Sequence, residues 1–148
     1  MIVQIAWGVA LILATTLVHA AFTAQLIGVM RKVRVGHWIV RSSFSEMVAV
    51  TLVVILLLLA SMAEAGIWAA AYVSLGALSH FEEAWYFSTV TFTTLGFGDI
   101  TLSPDWRLLA AIQAANGTVI FGWSTALVFS LLQRVVDVNS QRDGVRRN

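Results

Sequence analysis

A chain of 148 residues that is 59% hydrophobic and only 11% charged lacks the polar surface of a soluble domain, where about 25% of residues are charged. The absence of cysteine removes disulfides and thiolate metal sites. At ~20 residues per span, the length holds about three membrane helices and no separate soluble domain.

The net charge of +1 says little, but the placement of the charges says more. Residues 2–30 carry none before Arg31. They lack the positive leader and the cleavage site of a secretory signal, so a retained helix is expected. Thr16, His19 and Thr23 fall three and four apart and share one face. His19 is expected to hydrogen-bond against a neighbouring helix. A pH-sensing or proton-relay role is the alternative for an ionisable group in a membrane.

Arg31, Lys32, Arg34 and Arg41 follow, opposed only by Glu46, making segment 31–46 a basic connection of net +3. The positive-inside rule makes it cytoplasmic and puts the amino terminus outside. Lipid headgroups, not nucleic acid, are its expected contacts.

A second span over about 47–75 is built on the apolar run 52–60 and is long enough to tilt or project. Glu64 is its only charge. A carboxylate there is costly unless protonated or partnered, and so faces the bundle interior. Counting helix rise levels it with Gln113 and Asn116 of the last span. Glu64 is expected to brace the structure behind the loop that follows, or else to act as a titrating gate.

Ser79-His80-Phe81-Glu82 has the form of a capping box with Ser79 as N-cap. The helix it opens, over about 81–92, is ~18 Å long, half a bilayer, so it must re-enter. Glu82 and Glu83 complement its positive end, and its negative end favours a cation near Thr94.

Thr93-Thr94-Leu95-Gly96-Phe97-Gly98-Asp99 comes next. Non-helical backbone at membrane depth is tolerated only where it is buried in protein or lines a water-filled cavity. Gly96 and Gly98 permit angles that turn successive carbonyl oxygens to one side. A row of such oxygens around an axis can replace a cation's hydration shell. Segment 101–106 holds the only proline and returns the chain to the surface. The third span, about 108–136, contains Gly117 and Gly122. Small residues in membrane helices mark close packing, which is expected of Gly117 ahead of a hinge. The tail is polar and basic, and 137–148 is too short to fold alone.

The 93–99 stretch resembles the selectivity filter of potassium channels, Thr-Val-Gly-Tyr-Gly-Asp. Thr94, Gly96, Gly98 and Asp99 match in place, with Leu95 for Val and Phe97 for Tyr. A Tyr-Phe-Ser helix leads in and a glycine-bearing span follows. The resemblance covers roughly 48–133 and is to the potassium-channel pore domain, placed here at 47–136, with one extra helix at 1–30. Small prokaryotic ion-channel proteins show that arrangement.

The resemblance implies an all-α homotetramer that conducts K⁺ passively through four filters on one axis. It implies a channel rather than an enzyme, in a bacterial plasma membrane, with no cofactor beyond the permeating ions. Carbonyls of Thr94, Leu95, Gly96 and Phe97, with the Thr94 hydroxyl, would hold K⁺. Asp99 would concentrate cations at the outer mouth and fasten the filter. Phe121, Thr125 and Phe129 follow Gly117 at one-turn spacing as cavity or gate residues, or as a lipid-facing or packing stripe.

Two departures stand out. Phe97 lacks the hydroxyl of the family's tyrosine, and Phe87 offers it no polar partner. Val90 stands where some members place a carboxyl that braces the filter aspartate, a role then expected of Glu64. A selective but looser filter follows.

Two other functions fit parts of the pattern. One is a weakly selective cation channel. The other is an intramembrane aspartyl protease of the Gly-x-Gly-Asp type, which needs two carboxylates sharing a water and has only Glu64 to pair with Asp99. No span carries arginine at every third position, so no voltage sensor is expected.

Overall fold

A computed structural model describes residues 1–35 and 43–146 of the chain. These form four helices and, among the described residues, no strand: α1 (Ile2–Val35), α2 (Ser43–Ser74), α3 (Phe81–Phe92) and α4 (Arg107–Arg146). Three stretches are long and apolar enough to cross a membrane: Ile2–Met30, Met47–Ser74 and Arg107–Gln133.

The parent helices run past those stretches. α1 continues through Arg31, Lys32 and Arg34, and α2 begins at Ser43, so the 31–46 connection is in good part helical. Residues 36–42, with Arg41, lie outside the described residues, as do Arg147 and Asn148. The tail is an extension of α4, which carries on to Arg146. Twelve residues seldom nucleate a helix alone, but extending an existing one needs no nucleus.

Contacts fix the directions of the helices. Along α1 and α4, the Gln4 side chain donates to the Asp105 carbonyl, Gly8 faces Ile112, Thr15 meets Asn116 and His19 meets Ser124. Both numbers rise together, so α1 and α4 run parallel. α2 runs the other way, with Glu64 against His19 and with Val53 and Leu57 packed near Leu26. α3 packs on α2 and α4, and its backbone makes no close approach to that of α1.

The interior is layered. One apolar cluster joins Trp68, Tyr72, Phe87, Phe92, Leu109 and Ile120, and a second joins Leu26, Val53 and Leu57. Between them lies a polar layer of Thr15, His19, Ser61, Glu64 and Asn116, all buried. The surface carries the reverse pattern: Leu13, Leu17, Leu52, Leu58 and Leu59 are exposed. In water so much apolar surface would drive association, whereas lipid is its natural solvent.

α2 ends at Gly76, whose φ of 69° is left-handed. The Gly76 amide donates to the Val73 carbonyl (3.0 Å) and the Ala77 amide to Tyr72 (2.9 Å), the Schellman closure of a helix end. α3 then starts one residue later than the capping-box reading requires. His80 is the N-cap, extended at φ −121°, ψ 138°, with no side-chain cap bond. Glu82 is therefore the second helical residue instead of the third, and cannot reach back to cap Ser79.

Candidate functional site

The end of α3 repeats the closure of α2 with a different residue at its centre. The Thr94 amide donates to Thr91 and the Leu95 amide to Val90, each at 3.0 Å, and Thr94 takes the left-handed position at φ 61°. Where α2 uses glycine, α3 uses a β-branched residue, at a strain of roughly 1–2 kcal/mol. Positive φ then recurs at Gly96 (57°) and Gly98 (80°), with Leu95 and Phe97 between them outside that region. Alternation of this kind gathers the amides on one side of the loop and the carbonyls on the other.

The amides go back to α3. Thr93 donates to Thr89, and Gly96 joins Leu95 on the Val90 carbonyl at 3.4 Å. Among the described residues no backbone bond takes the carbonyl of Thr94, Leu95, Gly96 or Phe97. Leu95 and Phe97 stand 61% and 66% exposed.

Asp99 ends the loop. Its Oδ2 accepts a 2.7 Å hydrogen bond from the Tyr86 hydroxyl. That bond holds the Asp99 carboxyl below its ordinary range; desolvation opposes the shift, and the Ile100 amide assists it. The brace expected from Glu64 is therefore Tyr86, one turn before Val90 on the same face of α3.

Glu64 is occupied elsewhere. It is fully buried, with Oε1 2.9 Å from His19 Nδ1. His19 Nε2 lies 3.4 Å from the Ser124 hydroxyl, and the Trp123 ring meets the imidazole edge-on at 5.4 Å. Glu64 Oε2 and the Trp68 indole nitrogen are buried without a hydrogen-bond partner among the described residues. His19 is thus bonded against its neighbours, as expected, but Glu64 bonds to α1 and not to Gln113 or Asn116. The face of α1 that carries His19 also differs: Thr15 is fully buried and bonds Asn116 at 2.8 Å, while Thr16 is half-buried. His19 forms an i,i+4 pair with Thr15 and an i,i+3 pair with Thr16, and only the partner helix decides between them.

Behind α3, Gln113 Nε2 donates to the Ser88 hydroxyl (2.6 Å) and carbonyl (3.2 Å), and its Oε1 accepts from Tyr72 (2.8 Å). None of Ser88, Tyr72 and Tyr86 stood out in the sequence as a site residue. An amide within an apolar span, a feature it shares with Asn116, was the available signal for Gln113.

Gly117 faces α3. A Cβ there would run into the Phe92 carbonyl, with the carbonyl carbon 2.8 Å away, and α4 is continuous through it. It is a packing glycine. Phe121 meets Phe92 edge-on at 5.8 Å, and the Thr125 hydroxyl donates to the Phe121 carbonyl. Phe129 is 60% exposed. The three therefore do not form one packed stripe.

The two carboxylates of a hydrolytic dyad are not brought together. Asp99 is exposed beside Tyr86, and Glu64 is buried beside His19.

Residues 56–134 match the family model for ion channels. The match runs from the middle of α2 through α3 and the 93–99 loop into α4, more than half of the chain. No curated protein and no solved structure matches. The matched stretch is the two-transmembrane unit of potassium-channel pore-domain type, and this chain belongs to the ion channel family.

Proposed function

We propose that four copies of this chain surround one axis and conduct K⁺ passively through their 93–99 loops. One observation carries the reading: positive φ at every second residue from Thr94 to Gly98, with the amides of Thr94, Leu95 and Gly96 returned to α3 and, among the described residues, no backbone bond to the carbonyls from Thr94 to Phe97. Four such rows facing an axis form stacked rings of oxygen that substitute for an ion's hydration shell. The Thr94 hydroxyl adds a ring at one end and the Asp99 charge marks the other. The carboxy-terminal end of α3 points its dipole at the same place, which favours a cation. The exposed Leu95 and Phe97 faces are those that neighbouring copies would cover. With the amino terminus outside, the basic ends of α1 and α4 lie in the cytoplasm, as the positive-inside rule prefers. A bacterial plasma membrane suits this compact plan.

A weakly selective cation channel is the second reading. It is favoured by Phe97, which has no hydroxyl to tie its end of the loop to surrounding groups. Flux from liposomes holding the purified protein separates the two. K⁺ flux without Na⁺ flux, blocked by Ba²⁺, is the expected result, and equal flux of both ions establishes the weaker selectivity. Gly96→Ala or Gly98→Ala is expected to abolish flux while leaving the oligomer assembled. Normal flux in either variant would remove the loop from the ion path.

A further inference from the structure

Gln113 is a fully buried amide on a membrane helix, a placement that is unfavourable unless its polar atoms find partners. They do. Its nitrogen holds both the hydroxyl and the carbonyl of Ser88, and its oxygen accepts from Tyr72. The Ser88 hydroxyl in turn donates to the Ala65 carbonyl at 2.6 Å. These bonds close a ring from α2 through α4 and α3 back to α2.

Ser88 lies two residues before Val90, whose carbonyl accepts the Leu95 and Gly96 amides. One turn along α4 from Gln113, Gly117 approaches the Phe92 carbonyl, one turn along α3 from Ser88. α4 thus grips α3 at two points in register. The Gly117 contact only limits distance, whereas the amide of Gln113 has direction. The opposite end of α3 has no side-chain cap to share the task.

We infer that Gln113 is a positioning residue for the 93–99 loop. Its bonds to Ser88 fix the height and rotation of α3, and so the place of the Val90 carbonyl from which the loop hangs. The inference rests on the reading of that loop as the filter. A carbonyl row matched to one ion tolerates less displacement than helix packing does. Loss of the Gln113 amide therefore degrades ion discrimination before it degrades assembly.

The test compares the K⁺/Na⁺ permeability ratio and the detergent-stable oligomer in wild type, Gln113→Leu, Ser88→Ala and Asn116→Leu. Asn116 is the matched control, since it is also buried on α4, three residues on, but bonded to α1. Gln113→Leu is expected to lower the ratio about tenfold, the scale of one or two buried hydrogen bonds, while Asn116→Leu keeps the wild-type ratio. An unchanged ratio in an assembled Gln113→Leu channel overturns the inference, and so does an equal fall in Asn116→Leu. If Gln113→Leu does not assemble, Ser88→Ala decides. It deletes one hydroxyl, and an unchanged ratio there is equally fatal. A wild-type protein that conducts without discriminating K⁺ from Na⁺ removes the filter reading first and this inference with it.

Discussion

Tyr86 and Asp99, thirteen residues apart, are joined by a 2.7 Å hydrogen bond from phenol to carboxylate. The loop is therefore held at both ends by the same helix, through the Val90 carbonyl at its start and the Tyr86 hydroxyl at its finish. The bond is the leading cause of the lowered Asp99 pKa. A depressed acid contributes its stabilising contact above the unfolded value and loses it as pH falls through the lower folded value. Tyr86→Phe removes that cause, so the acid midpoint of Asp99 should rise toward its ordinary 3.8. Single-channel conductance against pH on the Asp99 side reads the shift, and coincident profiles for wild type and variant would show that the bond is not formed in the channel.

The two glycines of α4 make a matched pair. Gly117→Ala drives a Cβ into the Phe92 backbone carbonyl, which cannot swing aside, whereas at Gly122 nothing lies within 4 Å. Overpacking of that kind destabilises by about 1–3 kcal/mol, while alanine at Gly122 gains up to roughly 1 kcal/mol of helix propensity. Thermal unfolding in detergent should separate the two variants in opposite directions. A Gly117→Ala protein as stable as wild type would point to a looser α3–α4 contact.

His19→Leu strands the Glu64 carboxyl, because Oε1 loses its partner and Oε2 has none among the described residues. Breaking a buried pair from one side costs about 3–5 kcal/mol, and replacing both members by apolar residues is often neutral. The double variant His19→Leu/Glu64→Met should therefore recover most of the stability that His19→Leu loses. Additive losses in a double-mutant cycle would mean that the two side chains do not depend on each other.

Thr94 occupies a position where glycine is easier. Thr94→Gly should relieve the left-handed strain and, after glycine's own entropy loss, raise stability by at most about 1 kcal/mol. K⁺ flux should fall all the same, because the hydroxyl is gone. Improved stability with unimpaired flux would show that the hydroxyl takes no part in conduction.

What could be read in advance was what composition and local backbone chemistry control. The three spans follow from length and apolarity, and the bounds of α3 lie within a residue of where the sequence places them because polar residues and glycines bound it closely. Relations across helices were less legible. Helix rise put Glu64 level with Asn116, but rise carries no information about rotation around the axis, and rotation delivers Glu64 to His19. The same ignorance of azimuth chose Thr16 over Thr15. The capping box failed by a single residue, since the motif is satisfied by spacing alone whereas the true N-cap needs the extended backbone found at His80. Tyr86 was invisible as a brace because a phenol on a re-entrant helix reads as an interfacial aromatic until the loop folds back beside it.

The stretch that matches the ion channel family begins at residue 56 and leaves α1 out, yet that stretch is not chemically self-sufficient. Glu64 and Ser124 meet His19, and Asn116 meets Thr15. Cut back to its two-helix unit, the chain would present a carboxyl, a hydroxyl and an amide to hydrocarbon. α1 serves those groups as water serves the surface of a soluble protein. Anyone grafting this pore onto another scaffold would have to carry the first helix along or make the three positions apolar.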